Sequence, residues 1–551
     1  MISGIKPTVS ALSEDFIDRM AELDPVTATS WGVSGGEHRL TDHSPEGTAA
    51  RAELQRSTLQ ALESIEYGTD RDRIAAEVLR ERLQSAVDLY DAGEYLRPIR
   101  VLGSPQSSLR SAFDLMQFDT DEDWDVARQR IGAIPDAMAQ VTSLYEEGRS
   151  AGVVASRRQA LACAAQCDAW GDPANGFWAS LARRSPHVNV DEEAGAAAGA
   201  YRRLGDWLRD VYAVDASDRD PVGRERYQLH ARVMNGSVLD LDETYAWGWE
   251  ELRRIEARMM ELSEYMGADS IAAAIEKVEA DPRYVIEGVD EFQRWNQDLI
   301  DATVTELNGV HFEIPEAIRR CEAMIAPPGG PAAMYYTGPS EDLRRPGRTW
   351  YPTLGKTRFP LWREVSICYH EGVPGHHLQI AQVRYLADTL TRFQRLAGFV
   401  SGHGEGWALY AERLMQELGY LDDPVYEFGQ LSCQAMRAVR VIVDIGMHLE
   451  LAIPTDGSYH PGETWTPELA LPFVIERARF PESFMASEVD RYLGMPGQAI
   501  SYKVGERVWL EGREAARVRH GSSFNLKEFH RAALDLGGMG LDQLRDELAR
   551  L

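Results

Sequence analysis

Apolar residues recur every three or four positions along most of the 551-residue chain. This spacing places them on one face of an α-helix and leaves charged residues on the other face. It is clearest in five segments: 73–90, 125–147, 193–212, 243–265 and 408–418. The pattern therefore predicts a mainly α-helical protein.

One stretch of the chain departs from this helical pattern. It contains three short runs of β-branched and aromatic residues, separated by turns rich in proline and glycine: Val310–Ile314, Ala333–Thr337 and Thr349–Thr353. Such runs are typical of short strands. We therefore expect a small β-sheet within the helical fold, with helix resuming beyond Lys356.

Domain organisation is only weakly marked in the sequence. At ~150 residues per domain, a chain of this length suggests three or four domains. However, nearly all the candidate chemistry follows the predicted sheet, and the helices before it carry little. We therefore expect two lobes, a helical N-terminal lobe at 1–245 and a catalytic lobe at 246–551.

The chain is strongly acidic. It has 58 Lys and Arg against 87 Asp and Glu, which gives a net charge of −29. Proteins that bind nucleic acids concentrate cations to neutralise phosphates, and anionic membrane surfaces repel a negative chain. The composition therefore argues against nucleic-acid and membrane partners.

Three further features bear on the cellular location. Residues 1–20 contain no basic region followed by an apolar core, so they do not resemble a signal peptide. No run approaches the ~20 apolar residues of a membrane span. The five cysteines are an odd number in a long chain, which argues against a disulfide framework. These features predict a cytoplasmic protein, and the sequence leaves open whether it forms a homodimer.

The segment Ser366–Leu378 reads SICYHEGVPGHHL and contains the first candidate metal ligands. In hydrolytic zinc sites, two histidines four residues apart on one helix bind the metal, and the glutamate after the first polarises a water molecule. Here Pro374 stands four residues after His370. The next histidines are His376 and His377, six and seven residues after His370.

A regular helix would bring neither of these histidines to His370. At about 100° and 1.5 Å per residue, the sixth residue lies about 120° off its face and the seventh lies roughly 10.5 Å along the axis. Pro374 disfavours a regular helix, and Gly375 adds backbone freedom. A bulge that absorbs two extra residues would bring His376 to the usual position. His376 is therefore the predicted second ligand, and His377 is the alternative.

A second segment supplies the expected third ligand. After a predicted helix from about 376 to 398, Gly402–Leu414 reads GHGEGWALYAERL, and a helix is predicted to begin at Glu405. A glutamate completes the two-histidine, one-glutamate set of many zinc enzymes, although these ligands also suit other divalent metals. Glu412 lies two turns later on the same face, where it can orient a ligand histidine. The predicted metal ligands are thus His370, His376 and Glu405.

Four blocks of sequence occur in the order found in a known family. They are YHEGVPGHHLQ at 369–379, EGWALYAE at 405–412, VDIGMH at 443–448 and PGQAISYKVG at 496–505. With these blocks the chain resembles the bacterial domain-of-unknown-function family numbered 885. The resemblance is clear over roughly 300–510 and looser over most of the remaining chain.

That family in turn resembles the gluzincin metallopeptidases, especially the carboxypeptidase Taq and angiotensin-converting-enzyme types. The resemblance implies a large helical fold with a small β-sheet at the active-site cleft, and one bound zinc ion. The gluzincin Gly-His-x-Leu run matches Gly375–Leu378 and supports His376 over His377. The two-residue expansion inside the metal motif departs from the peptidase pattern.

The resemblance also implies roles for residues around the metal. Glu371 is expected to act as the general base on a water molecule whose pKa the metal lowers. Gluzincins often stabilise the oxyanion with a tyrosine or a histidine, and Tyr502 and His448 are the candidates here. Separately from the resemblance, Asp444 stands four residues before His448, a spacing that suits a hydrogen bond to its ring; a helix cap or a pair with another residue is the alternative.

A cluster of basic residues is a candidate for substrate binding. The loop 338–348 carries three arginines: Arg344, Arg345 and Arg348. Because arginine binds carboxylates through two parallel hydrogen bonds, Arg345 and Arg348 are candidates to hold a peptide C-terminus. Tyr336, on the preceding predicted strand, is a candidate to contact an extended substrate. A charged surface loop balanced by its own acidic residues is the alternative.

Together these features predict zinc-dependent hydrolysis of peptide or peptide-like amide bonds. Two alternatives stay open. One is a zinc amide hydrolase that acts on a small non-peptide substrate, and the other is a non-catalytic metal-binding protein of the same fold.

Overall fold

The computed structural model describes residues 8–326 and 333–551. It is 66% helix and 5% strand, which confirms the predicted mainly helical class with small sheets. The chain forms two compact units. The first comprises the described residues up to 229 with 391–393 and 490–495, and the second comprises 230–390, 394–489 and 496–551.

The first unit is helical. Its helices are α1 (Val9–Leu23), α2 (Pro25–Trp31), α3 (Pro45–Glu63), α4 (Asp70–Asp91), α5 (Pro105–Ser111), α6 (Asp121–Gly132), α7 (Ile134–Ser150), α8 (Arg157–Trp170), α9 (Phe177–Ala182), α10 (Asp191–Trp207) and α11 (Ala213–Asp215). Large aromatic side chains such as Trp124, Trp178 and Tyr201 fill its core. The predicted helix at 125–147 is divided between α6 and α7, since Pro135 stands in the first turn of α7.

The remaining helices lie wholly or partly in the second unit. They are α12 (Arg224–Asn235), α13 (Leu241–Tyr265), α14 (Ile271–Ala280), α15 (Val289–Leu307), α16 (Leu361–Glu371), α17 (His376–Tyr385), α18 (Arg392–Leu396), α19 (Ser401–Glu417), α20 (Pro424–Leu449), α21 (Pro467–Ala478), α22 (Glu482–Gly494), α23 (Ser501–His520), α24 (Leu526–Leu534) and α25 (Leu541–Leu548). Helix α20 is buried along nearly its whole length and forms the centre of this unit. The helix predicted at 376–398 is wrong in extent, because α17 ends at Tyr385.

The two units divide within a helix. The predicted lobe boundary at residue 245 lies inside α13, whereas the structure divides the chain between residues 229 and 230, inside α12. Local periodicity does not reveal this division, because both helices have amphipathic sequences and only tertiary packing distinguishes them.

Two small sheets lie in the second unit. Strands β1 (Val285–Glu287) and β5 (Arg358–Pro360) pair antiparallel. The other sheet has the order β2-β4-β3, in which β2 (Cys321–Ile325) is parallel to β4 (Gly347–Tyr351) and β3 (Tyr335–Thr337) is antiparallel to it. The predicted strands at 333–337 and 349–353 overlap β3 and β4, respectively.

The predicted strand Val310–Ile314 is wrong. This segment is a turn after α15, in which the N–H groups of Val310 and His311 donate to the carbonyl of Leu307. Phe312 and Ile314 are each 2% exposed. Their apolar character therefore reflects burial of a loop in the core, which a short sequence window does not distinguish from a strand.

Helices α19 and α23 cross through main-chain contact at three glycines. A Cβ atom on Gly505 would lie 2.0 Å from the carbonyl oxygen of Gly402, and one on Gly406 would lie 2.4 Å from the Cα of Gly505. No other residue type fits at such a crossing. It fixes Glu405 on α19 relative to Tyr502, which lies in the first turn of α23.

Within the described residues, no helix combines the length and the apolar composition needed to cross a bilayer. The first seven residues of the segment used to predict the absence of a signal peptide lie outside the described residues. The cytoplasmic location stays a prediction.

Candidate metal centre

Three helices bring His370, His376 and Glu405 together. His370 lies in the last turn of α16, His376 is the first residue of α17, and Glu405 lies in the second turn of α19. The prediction that a helix begins at Glu405 is wrong by four residues, since α19 begins at Ser401. Glu405 Oε2 lies 3.3 Å from Nε2 of His370 and 3.2 Å from Nε2 of His376. One ligand atom from each residue lies within 4.8 Å of the other two.

The two extra residues of the motif are accommodated by a break between two helices rather than by a bulge inside one. Helix α16 ends at Glu371, and the chain passes through Gly372 and Pro374 before α17 begins. The N–H group of Gly375 donates to the carbonyl of Tyr369, six residues earlier, at 3.0 Å. A regular helix would make this bond over four residues. The sixth residue after His370 therefore occupies the place that the fourth would normally take.

Gly375 is required at this break. A Cβ atom there would lie 2.0 Å from the carbonyl oxygen of His370. The indole of Trp407, which is fully buried, donates to the carbonyl of Pro374 at 2.8 Å and lies 3.3 Å from that of Gly375. Helix α19 therefore supplies both the third candidate ligand and a hydrogen bond that fixes the break.

A buried carboxylate holds the ring of His370. Glu412 is 0% exposed, and its Oε1 accepts a hydrogen bond from Nδ1 of His370 at 2.7 Å. Its Oε2 accepts from the hydroxyl of Ser366 at 2.6 Å, and Arg437 lies 3.6 Å from Oε1. Burial opposes ionisation, but Arg437 and His370 outweigh it and lower the pKa of Glu412. With Nδ1 donating to this carboxylate, Nε2 of His370 is left to face Glu405.

Replacing Glu412 with glutamine is expected to weaken divalent-metal binding by about 10- to 100-fold. The amide is isosteric but neutral, so it does not raise the basicity of His370 as a carboxylate does. Metal affinity is to be measured by competition with a chelator of known affinity. Glu417→Gln, at the exposed end of the same helix, is the matched control and should keep wild-type affinity. Equal affinities for the Glu412 variant and the wild type would contradict this role.

The chemistry of the donor set fits a divalent metal. Oε2 of Glu405 is buried and accepts no hydrogen bond of regular geometry from the described residues, although both imidazole nitrogens lie close to it. Three donor atoms aimed at a common centre have this arrangement. Burial opposes ionisation of Glu405, but His376 and His370 hold its pKa well below the usual range. Two imidazoles and a carboxylate suit zinc and several other divalent ions.

Glu371 lies beside these ligands at the end of α16. It is 7% exposed, and burial raises its pKa above the usual range, against the opposing effect of His370 and His376. Within the described residues, its carboxylate makes no hydrogen bond or ion pair. A buried carboxylate with a raised pKa and no structural partner has the properties of a general base.

The structure also brings Tyr502 to this site. Its ring lies nearly parallel to that of His370, with centroids 6.1 Å apart. Two arginines of α20 face the tyrosine ring, Arg440 at 4.5 Å and Arg437 at 5.7 Å from its centroid. Sequence analysis missed both arginines. Their spacing of three residues within a largely apolar helix was the signal that could have found them.

Among the described residues, His448 is not one of those whose donor atoms converge with His370, His376 and Glu405. It is fully buried on α20, and its Nε2 lies 3.7 Å from Oδ1 of Asp444. It follows Arg437 by eleven residues, or about 16 Å along the helix. Asp444 accepts a hydrogen bond from the N–H of Gly497 at 2.9 Å. Asp444 therefore helps to position the turn that leads to Tyr502, and the role of His448 in stabilising the oxyanion stays a prediction.

His377 uses both ring nitrogens away from the metal centre. Nε2 faces the carbonyl of Ile318 at 2.8 Å, and Nδ1 faces the hydroxyl of Tyr336 at 2.9 Å. Burial lowers the pKa of His377 to about 4, so the ring is neutral at pH 7. Because a carbonyl only accepts, Nε2–H donates to Ile318 and Nδ1 accepts from Tyr336. The geometry therefore favours His376 as the second ligand.

Arg345 and Arg348, the two arginines predicted to hold a substrate carboxylate, have different surroundings. Arg348 on β4 forms an ion pair at 2.9 Å with Glu322 of the neighbouring strand, a carboxylate that Arg320 also contacts at 2.6 Å, so the Arg348 side chain is already engaged. It is therefore a poor candidate to hold a substrate carboxylate. Arg344 is exposed beside Asp342. The side chain of Arg345 makes no ion pair with a described residue, and its charge acts on the nearby Tyr336.

Comparison with known proteins shows a family and a fold. Residues 25–548 match the family described as "Bacterial protein of unknown function (DUF885)". No curated protein matches the chain. A candidate lipoprotein from Colwellia psychrerythraea has a similar crystal structure, with a TM-score of 0.83 and 20% identity over 98% of this chain and 99% of that one. A candidate lipoprotein of unknown function from Shewanella oneidensis has a TM-score of 0.73 and 17% identity, over 98% of this chain and 100% of that one.

Proposed function

The chain belongs to the DUF885 family of bacterial proteins of unknown function, and we propose that this member is a zinc-dependent metallopeptidase. The observation that carries the proposal is the convergence of His370, His376 and Glu405, with their ligand atoms within 4.8 Å of one another, beside the buried Glu371. Metal-dependent hydrolases use these same groups: two imidazoles and one carboxylate to bind the metal, and an adjacent glutamate as the general base.

The surrounding residues have roles that follow from their positions. When bound, zinc would lower the pKa of a water molecule and polarise the carbonyl of the scissile amide. Glu371 takes the proton of the attacking water and returns it to the leaving amine. Glu412 keeps His370 in one tautomer and orientation. The phenol of Tyr502, next to the His370 ring, donates to the developing oxyanion.

Two features support a peptide as substrate. Strand β3 lies at the edge of its sheet, and its Tyr336 is 6.5 Å from the ring of His376, centroid to centroid. Extended peptides pair with such edge strands through main-chain hydrogen bonds. The gluzincin kinship, with cleavage of the carboxypeptidase or oligopeptidase type, is part of the same proposal.

Metal analysis and chelation test the proposal directly. The full chain, purified without chelators, is expected to carry about one equivalent of zinc, and to lose and regain peptide-library hydrolysis when zinc is removed and restored. Identifying which end of each peptide is trimmed separates carboxypeptidase from oligopeptidase action. A metal content below roughly a tenth of an equivalent after reconstitution would contradict the metal site. Cleavage that persists without metal would contradict the mechanism.

A further inference from the structure

One buried histidine connects the three-stranded sheet to the helix that begins at the metal centre. His377, the second residue of α17, directly follows the candidate ligand His376 and is 1% exposed. Its Nε2–H donates to the carbonyl of Ile318, just before β2, at 2.8 Å. Its Nδ1 accepts from the hydroxyl of Tyr336 on β3 at 2.9 Å. These two hydrogen bonds therefore join α17 both to β3 and to the segment that enters β2.

Strand β4 leaves the space in which the bond between tyrosine and histidine forms. A Cβ atom on Gly347, the first residue of β4, would lie 2.5 Å from Nδ1 of His377 and closer still to the hydroxyl oxygen of Tyr336. Any side chain at this position would therefore separate the hydroxyl from the ring nitrogen. The contact thus depends on all three strands of the sheet, although only one residue of α17 makes it.

This contact places β3 beside the metal centre. The ring of Tyr336 lies 6.5 Å from that of His376, centroid to centroid, and the two rings are 23° from parallel. Tyr336 pairs with Thr349 of β4, so the position of its side chain also fixes the register of the strand. Among the described residues, no strand pairs with the other edge of β3. An extended peptide paired with this edge would therefore lie next to His376.

We propose that His377 is a positioning residue for the substrate: it holds β3 beside the metal ligands, and the substrates are peptides long enough to pair with β3. The proposal rests on the proposed function and sharpens it. Strand β3 is three residues long. A strand of this length can offer about two to four main-chain hydrogen bonds to a partner at its edge. A ligand that reaches only the metal makes none of them.

Three substitutions break the contact from three different elements. His377→Ala removes the ring, Tyr336→Phe removes only the donor hydroxyl, and Gly347→Ala separates the two groups without changing either. Each is expected to weaken the binding of an extended peptide by about tenfold, which corresponds to the loss of one or two net hydrogen bonds. His377→Gln can still donate and accept through its amide, so it should limit the loss to about threefold.

The test measures binding by calorimetry to zinc-loaded chains in which Glu371→Gln blocks turnover. N-acetylated hexaalanine is the long probe, because it can lie along β3. Acetohydroxamate, a small zinc chelator, is the short probe, because it reaches the metal and not the strand. The three substitutions should weaken hexaalanine binding and leave acetohydroxamate binding within about twofold of the parent. A general disturbance of the core would weaken both.

Tyr351→Phe is the matched control. Tyr351 is fully buried on β4 of the same sheet, and its hydroxyl has no hydrogen-bond partner among the described residues. This variant undergoes the same chemical change as Tyr336→Phe and should bind hexaalanine as the parent does. Circular dichroism and zinc content must match the parent for every variant that is compared. If His377→Ala fails to fold, the substitutions at Tyr336 and Gly347 decide.

The outcomes separate this inference from the proposed function. Unchanged hexaalanine binding in Tyr336→Phe and Gly347→Ala, equal weakening of hexaalanine and acetohydroxamate, or no hexaalanine binding by the parent would each overturn the role of His377. The expected binding pattern in a chain that hydrolyses no peptide would overturn the proposed function only. Peptide hydrolysis by the wild type, with an unchanged KM for hexaalanine in the variants, would overturn the role of His377 only.

Discussion

His376→Ala is expected to abolish stoichiometric zinc binding, whereas His377→Ala keeps it. Apparent zinc-binding free energies of about 10–16 kcal/mol, shared among a few ligands, put the loss of one ligand at about 3–5 kcal/mol. That loss corresponds to a reduction in affinity of roughly 10²- to 10⁴-fold. His376 faces Glu405 at 3.2 Å through Nε2, so its removal takes away one of the three donors.

His377 provides the matched comparison for this result. Its two nitrogens are engaged with Ile318 and Tyr336, so its removal leaves the three ligand atoms in place. The expected cost is a loss of unfolding free energy of about 1–3 kcal/mol, because two buried polar groups lose their partner. Metal content by mass spectrometry and affinity by chelator competition decide between the histidines. Loss of zinc in the His377 variant with retention in the His376 variant would reverse the assignment.

Glu371→Gln is expected to reduce peptide turnover by about 10²- to 10⁴-fold while zinc stays bound. The amide has nearly the shape of the carboxylate but cannot accept a proton. Since Glu371 makes no hydrogen bond within the described residues, its replacement disturbs no structural contact. The loss should therefore appear in kcat, with little change in the affinity for substrate.

Glu364→Gln, on the same helix, is the control for this variant. Glu364 lies seven residues before Glu371, or about 10.5 Å along α16. Burial raises its pKa to about 7, so the neutral side chain is tolerated there. This variant should keep wild-type turnover. Full activity in Glu371→Gln, or equal losses in both variants, would contradict the general-base assignment.

Much of the fold was predictable because helical periodicity is local. The β2 strand was missed because its pairing is not local. Glu322 lies beside Arg348 across the sheet, and the two positions are 26 residues apart in sequence. The buried turn at 310–314 was mistaken for a strand for the converse reason, since apolar composition reports burial and not backbone conformation.

The metal ligands were predictable from motif spacing, but the way the chain brings them together was not. The two extra residues are held by the indole of Trp407, which donates to Pro374 from 33 residues away in sequence. His448 shows the opposite limit. Its proximity to Asp444 follows from their spacing of four residues. Its distance from the metal centre, by contrast, depends on how α20 packs against the other helices.

The main-chain contact between α19 and α23 makes the metal centre robust to change elsewhere in the core. Core substitutions that alter packing typically change stability by about 1–3 kcal/mol and shift neighbouring side chains. Here Glu405 and Tyr502 are held relative to each other by backbone touching backbone, and no intervening side chain can alter their separation. Substitutions elsewhere in the core can therefore change the free energy of unfolding without changing the geometry of the site. The chain has almost no latitude at Gly406 and Gly505, where an added Cβ atom would meet the backbone of the facing helix.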